Sequence, residues 1–185
     1  MLARYRLNLP ENKKVILFVG QMIYRKGIDK LLETISEVCM IREDIIFVLE
    51  GGELPGEYMK LYRSVPDGSI IAVPYMEKDE LQYYYRSADV FVLPTREDIW
   101  GLVVNEAMVH SLPVITTYSC GSGRELVKNA VNGFCLNFET KGEWPKIIFS
   151  TLDNSQIYGI NSRLIIDDYT IENMAENHIK ILSTQ

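Results

Sequence analysis

The chain has 185 residues, 47% of them hydrophobic and 24% charged, and its 19 basic and 25 acidic residues leave a formal charge of −6. That is the balance of an ordinary globular protein, long enough for one α/β domain with a sizeable core. No basic stripe invites nucleic acid, no stretch approaches the length of a membrane span, and the opening MLARYRLNLPENKK lacks an apolar leader segment.

Six apolar runs punctuate the chain: 15–20 (VILFVG), 45–52 (IIFVLEGG), 69–75 (SIIAVPY), 89–94 (DVFVLP), 112–117 (LPVITT) and 132–138 (NGFCLNF). They are rich in Val, Ile and Phe and do not alternate. That pattern predicts strands buried on both faces, hence a mostly parallel sheet. Between them lie helical patterns. Segment 28–39 sets Ile28, Leu31, Leu32, Ile35 and Val38 on one face, and 78–88 sets Leu81, Tyr84 and Tyr85 at helical spacing. Helices are also expected over 102–110, over 143–152 with Pro145 in the first turn, and over 171–182 with Thr170 as N-cap. Segment 155–170 reads as a further helix and turn. Strands alternating with helices predict a single α/β domain over 1–185, a Rossmann-like, doubly wound sheet.

Such sheets bind ligands outside the carboxyl ends of their strands. The candidate regions are therefore Gly20 onward, Glu50–Glu53, Pro74 onward, Pro94–Gly101 and Thr117–Arg124. After the first strand, Arg25 and Lys26 precede Gly27 and a helix start, a good place for a phosphate. Two solvated cations are the alternative. Neither G-x-G-x-x-G nor G-x-x-x-x-G-K-[ST] occurs there, which disfavours a standard nicotinamide site or a P-loop. Gly51-Gly52 permits close approach of a ligand or an ordinary turn. In CGSGRELV (120–127) the amides suit an anion nest, with Glu125 read as a first-turn acid that could equally cap.

TREDIWGLVVNEAM (95–108) is the most informative stretch. Asp98 falls in a loop and Glu106 inside the following helix. The amides of Gly101, Leu102 and Val103 are placed to meet an anion. Carboxylates suit vicinal hydroxyls, since each accepts two hydrogen bonds. Phosphate-binding amides between hydroxyl-binding acids describe a nucleotide-sugar site. Helix-start acids plus one solvated glutamate are the plainer alternative.

The three cysteines, Cys39, Cys120 and Cys135, form no C-x-x-C and suggest a reducing compartment. Cys39 and Cys135 read as core residues. Cys120 reads as core or loop packing, with a pocket-lining role as the alternative.

Taken in order, VILFVGQMIYRKGIDKLLETI, FVLEGGE, ELQYYYRSADVFVLPTREDIWGLVVNEAMVHSLPVITT and GSGRELVKNAVNGF resemble the C-terminal, donor-binding domain of GT-B glycosyltransferases of the retaining family 4 type, the glycosyl transferases group 1. The resemblance runs over residues 13–180. It implies transfer of a sugar from a nucleoside diphosphate sugar, UDP or GDP first, to a hydroxyl in cell-surface polysaccharide or glycoconjugate synthesis. No metal or other cofactor is implied. In the family's E-x7-E motif the second acid matches Glu106, expected on the ribose. The first matches Asp98, expected on sugar hydroxyls, with Glu97 as its neighbour. Lys26 matches the phosphate lysine. The family's arginine position holds Gln21, and Arg25 is the candidate replacement. Gly101, Leu102 and Val103 are implied near the distal phosphate, Tyr75 and Met76 beside the base, and Gly52 close to the donor.

The resemblance casts Lys26, Asp98 and Glu106 as charge stabiliser and substrate holders; the acid/base pair of a glycosidase is a poor fit. An N-terminal domain for a carbohydrate or lipid-linked acceptor is expected to be missing from the chain, so transfer by the chain alone is not expected. The implied location is the cytoplasm, with peripheral attachment at the inner membrane face allowed. His110 reads as a helix-end cap and His178 as half exposed. Ile171, Met174 and Ile181 are expected to be partly exposed. Two other readings remain: a nucleotide-sugar 2-epimerase of the same fold, and a non-catalytic nucleotide-sugar-binding domain.

Overall fold

The computed structural model describes residues 2–140 and 142–183, without the side chains of residues 171, 174, 177, 178 and 181. The expectations for Ile171, Met174, His178 and Ile181 concern side chains outside that set.

Along the chain the elements are α1 (Leu2–Arg6), β1 (Lys14–Val19), α2 (Ile28–Ile41), β2 (Ile45–Glu50), α3 (Met59–Tyr62), β3 (Ile70–Val73), α4 (Lys78–Ser87), β4 (Val90–Leu93), α5 (Leu102–Val109), β5 (Val114–Thr117), α6 (Gly121–Leu126), β6 (Gly133–Leu136), α7 (Trp144–Asp153), α8 (Ser155–Asp167) and α9 (Ile171–Ser183). Among the described residues the strands form one sheet in the order β3-β2-β1-β4-β5-β6, and every pairing is parallel. This is the Rossmann-like, doubly wound α/β fold that the alternating pattern predicts.

The apolar runs that do not alternate are explained by position. Every residue of β2, β4 and β5 is buried, because helices cover both faces. β3 is the exception. It lies at the sheet edge and its residues are half-buried or exposed. α2 buries Ile28, Leu31, Leu32, Ile35 and Val38, the face its spacing predicts. Pro145 sits in the first turn of α7, and the Thr170 hydroxyl accepts from the Asn173 amide at 3.1 Å to cap α9.

Two helices carry no strong apolar signature. α1 buries no residue. It is held by charge instead: Arg4 meets Asp89 at 2.6 Å and the carbonyls of Ser87 and Lys13 at 2.9 Å each. α3 is a single short turn behind a 3-10 turn at Gly56–Tyr58.

The register places the site. Val19 pairs with Glu50 and Glu50 with Val73, so three strands end at one level. The strand order reverses between β1 and β4. Their connections leave in opposite directions there and open a crevice over the carboxyl ends.

Candidate functional site

One wall of the crevice is the link from β1 to α2. A 3-10 turn at Tyr24–Lys26 ends in Gly27, whose φ of 74° lets the chain swing directly into α2. The opposite wall is the loop from β4 to α5. The walls are tied together. The Arg96 amide donates to the Arg25 carbonyl at 2.9 Å, and the Thr95 hydroxyl reaches the carbonyls of Arg25 and Glu97 at 3.0 Å each. The Arg96 guanidinium grips both oxygens of Asp29 at 2.7 Å and lies between the rings of Tyr24 and Phe138, 3.7 and 3.9 Å from their centres. Burial pushes the Asp29 carboxyl up, but the Arg96 hydrogen bonds and charge outweigh it and hold the group below the usual range. Arg96 is thus a strut between the two walls.

A third loop, from β5 to α6, props the second wall. Asp98 donates its amide to Ser119 and accepts from the Gly121 amide, and Ser122 donates to Trp100 at 2.7 Å. Cys120 is fully buried beneath Gly101. A Cβ on Gly101 would lie 2.6 Å from its sulfur, and φ there is +82°, so glycine alone fits.

The crevice between the walls has a volume of about 320 Å³ and is lined by Val19, Gly20, Lys26, Asp98, Trp100, Gly101, Leu102 and Val103. Lys26 and Asp98 form an ion pair, each side chain only 14% exposed. No side chain caps α5, whose N-cap is Gly101. The free amides and positive dipole end of that helix therefore face the same space as the ammonium group. A lysine beside an uncapped helix start is chemically able to hold an anion.

Glu106, the fifth residue of α5, lies beside the crevice lining rather than in it. Oε2 accepts from the buried Tyr85 hydroxyl at 2.8 Å. At the end of β2 a second carboxylate, Glu50, is 2% exposed and accepts from the Met76 amide at 2.7 Å. Burial pushes the Glu50 carboxyl up, against the pull of the Met76 amide, and the charge of Glu106 adds to the rise.

The raised Glu50 has a consequence for stability. Its favourable contribution is complete below the unfolded pKa, where it is protonated, and is lost as pH rises through the folded value. Charged Glu50 therefore destabilises the fold at neutral pH. Glu50→Gln keeps an acceptor for Met76. It is expected to raise Tm near neutrality, by an amount that a thermal melt of a domain of this size resolves. The gain should shrink as the solution is acidified. A lower Tm near neutrality would contradict this account.

The remaining candidates are scattered. Gln21 and Arg25 are exposed, and Arg25 donates to the Glu97 carbonyl at 3.3 Å. Glu97 is exposed, and among the described residues its carboxylate has no ion pair. Tyr75 is exposed and Met76 half-buried, while Gly52 has nothing within 4 Å of a built Cβ. Lys26 is not a solvated cation, because Asp98 meets it. Leu102 is 68% exposed at the crevice mouth, so the run after Gly101 enters the core only at Val104. Glu125 is not a first-turn acid. α6 starts at Gly121 and is six residues long, which puts Glu125 near its end, where it accepts from the Tyr169 hydroxyl at 3.1 Å. His110 does cap α5: its Nδ1 lies 2.8 Å from the Glu106 carbonyl and donates to it.

Sequence reasoning did not single out Arg96, and it read Tyr85 only as a residue on the spaced face of its helix. Their partners lie 67 and 21 residues away, beyond any local spacing rule. Glu50 was within reach as an acid closing a buried strand. Among the described residues no three metal-ligating side chains are grouped, and no helix is long and apolar enough to cross a membrane.

A family model described as "Glycosyl transferases group 1" matches residues 3–172. An uncharacterized glycosyltransferase of Haemophilus influenzae is 30% identical over 186 residues, covering 94% of this chain and 52% of that protein. The solved C-terminal domain of a glycosyl transferase group 1 family protein, LpcC, from Francisella tularensis superposes with a TM-score of 0.80 at 19% identity, covering 92% of each chain. Anabaena HepE, solved in complex with UDP and glucose, gives 0.81 at 18% identity over 98% of this chain and 51% of that one. At these identities the two superpositions report shared fold. The chain spans a third to about half the length of the first curated relatives it matches.

Proposed function

Because the chain belongs to the glycosyl transferases group 1 family, we propose that it is the C-terminal, donor-binding half of a two-domain GT-B enzyme. In this reading the enzyme moves a sugar from a nucleoside diphosphate sugar to a hydroxyl acceptor with retention at the anomeric carbon. One observation carries the reading. Lys26 and the uncapped start of α5 converge on one crevice at the point where the strand order reverses. The agreement in length and fold with a C-terminal transferase domain supports the half assigned, and the UDP and glucose bound by HepE support the donor class. The greater length of the curated relatives leaves room for an acceptor-binding half. The acceptor, a carbohydrate or lipid-linked glycan, would be held there.

The chemistry follows from charge. As the acceptor oxygen bonds to the anomeric carbon, the bond from that carbon to the phosphate oxygen breaks, its electron pair leaves with the diphosphate, and the acceptor hydroxyl's proton passes to the departing phosphate oxygen. Lys26 and the amides of Gly101, Leu102 and Val103 would neutralise that growing charge without reorganising. Glu106 would accept from ribose hydroxyls and Asp98, with Glu97 near it, from sugar hydroxyls. The backbone around Tyr75 and Met76 would border the base. Asp98 pairs with Lys26, so the donor would share or displace that pairing.

A thermal-shift and calorimetric screen of UDP, GDP and ADP sugars tests the reading on this chain. At about 100-fold over Kd one of them should add ~2.7 kcal/mol of stability, a rise of about 5–10 °C in Tm. Glu106→Ala should weaken that binding by roughly tenfold, the worth of a hydrogen bond to a charged group. No stabilisation by any of the three would overturn the donor site. Interconversion of the donor sugar without acceptor would instead indicate an epimerase. Binding with no transfer, once an acceptor half is supplied, would indicate a binding domain.

A further inference from the structure

We infer that Tyr85 is a positioning residue for Glu106: its hydroxyl holds one carboxylate oxygen so that the other is presented to a ribose hydroxyl of the nucleotide donor. The inference rests on the reading of Glu106 as the ribose-side acceptor.

Tyr85 lies on α4, not on the strand-end loops that line the crevice, and is 2% exposed. Its hydroxyl donates to Oε2 of Glu106 at 2.8 Å. The ring is fixed on two sides. It stacks on His110 at 5.2 Å with the planes 15° apart, and it packs against Phe91 at 6.0 Å. His110 in turn donates Nδ1–H to the main-chain carbonyl of Glu106 at 2.8 Å. One ring stack therefore grips both the backbone and the carboxylate of the same residue.

The physical need is plain. A glutamate on a helix has three rotatable side-chain bonds, and freezing them on ligand binding costs entropy. A hydroxyl that freezes them on folding removes that cost from the binding step. The buried carboxylate of Glu50 faces the same region and repels the charge of Glu106; a neutral donor on Oε2 offsets that repulsion. Burial, followed by the charge of Glu106, pushes the Tyr85 phenol far above its usual range, so it stays protonated and remains a donor. A carboxylate has about four lone-pair sites, and one hydroxyl leaves Oε1 open.

The test separates a positioning role from simple packing. UDP, GDP and ADP, each with its 2′-deoxy and 3′-deoxy form, are titrated into the chain and into Tyr85→Phe and Glu106→Ala. For the nucleotide the parent binds, Tyr85→Phe should reduce the preference for the ribonucleotide over the deoxy form by about tenfold, the weight of one hydrogen bond to a charged group. Affinity for the deoxy form should not change. If Tyr85→Phe keeps the parent's preference while Glu106→Ala loses it, the positioning role is wrong and the ribose reading stands. If the parent shows no preference, or Glu106→Ala keeps it, the ribose reading fails and takes the Tyr85 role with it. A measurement without any variant keeps the idea exposed should Tyr85→Phe unfold. The buried Tyr85 hydroxyl proton should give a resolved NMR signal that moves with the ribonucleotide and not with its deoxy form; a signal that neither ligand moves overturns the proposal.

Discussion

Lys26→Ala is expected to weaken nucleoside diphosphate binding by roughly 10- to 100-fold, the range set by one charge-assisted hydrogen bond to phosphate. Lys26 is the one charged donor that lines the crevice among the described residues. The neighbouring Arg25 is exposed and donates to the loop carbonyl of Glu97, so it is not positioned to stand in. The substitution also leaves Asp98 without its counter-ion at a place where its side chain is 14% exposed. Removing one member of such a pair leaves an uncompensated charge, so Tm should fall as well. Adding Asp98→Asn to Lys26→Ala should restore most of the Tm and none of the lysine's contribution to phosphate binding. Calorimetry on the three proteins separates the effects. Binding by Lys26→Ala within twofold of the parent would remove Lys26 from the phosphate seat.

The next residue gives the largest effect on stability. Gly27→Ala should destabilise the domain by ~4 kcal/mol or more, the tail reserved for backbone and packing failures, which is about 10 °C in Tm for a chain of this length. At φ +74° a side chain is already strained, and a Cβ there would lie 1.7 Å from the carbonyl oxygen of Pro94. The Pro94 carbonyl is backbone, so no side-chain rotation relieves the clash. Relief would require α2 to part from the end of β4, which would open the core and pull Lys26 away from α5. Gly56→Ala is the matched control, since nothing lies within 4 Å of its built Cβ and its φ is not positive. A Gly27→Ala protein that melts with the parent would show that the close approach is not needed. Lys26 and Gly27 thus serve one turn in different ways: the lysine variant should show its larger loss in nucleotide binding and the glycine variant in Tm.

Much of the frame is legible in the chain because it is written in short-range patterns. Unbroken apolar runs in β2, β4 and β5 signal strands covered on both faces. The spacing in α2 gives its inner face, and the rule for strand ends points to Gly20 and Pro94–Gly101. What those patterns miss has physical reasons. α1 is pinned by Arg4 to Asp89 across 85 residues, a charge contact that leaves no apolar period. β3 is apolar enough to read as covered, yet it sits at the edge, because composition does not encode strand order. Glu125 falls outside the first turn because the helix starts at Gly121, and a glycine-rich loop gives no sharp boundary signal.

By itself the sequence determined the class of the fold, the faces its helices bury, and the few strand ends where polar groups collect, since periodicity and burial are local properties. It also held the family resemblance that singled out Lys26, Asp98 and Glu106. The tertiary structure decided how those groups meet. It paired Lys26 with Asp98 across 72 residues, fixed one oxygen of Glu106 against Tyr85, buried Glu50, and braced both walls with Arg96. A side chain's charge state and orientation depend on neighbours brought close by the chain's path through the sheet, and no spacing along the sequence carries that distance.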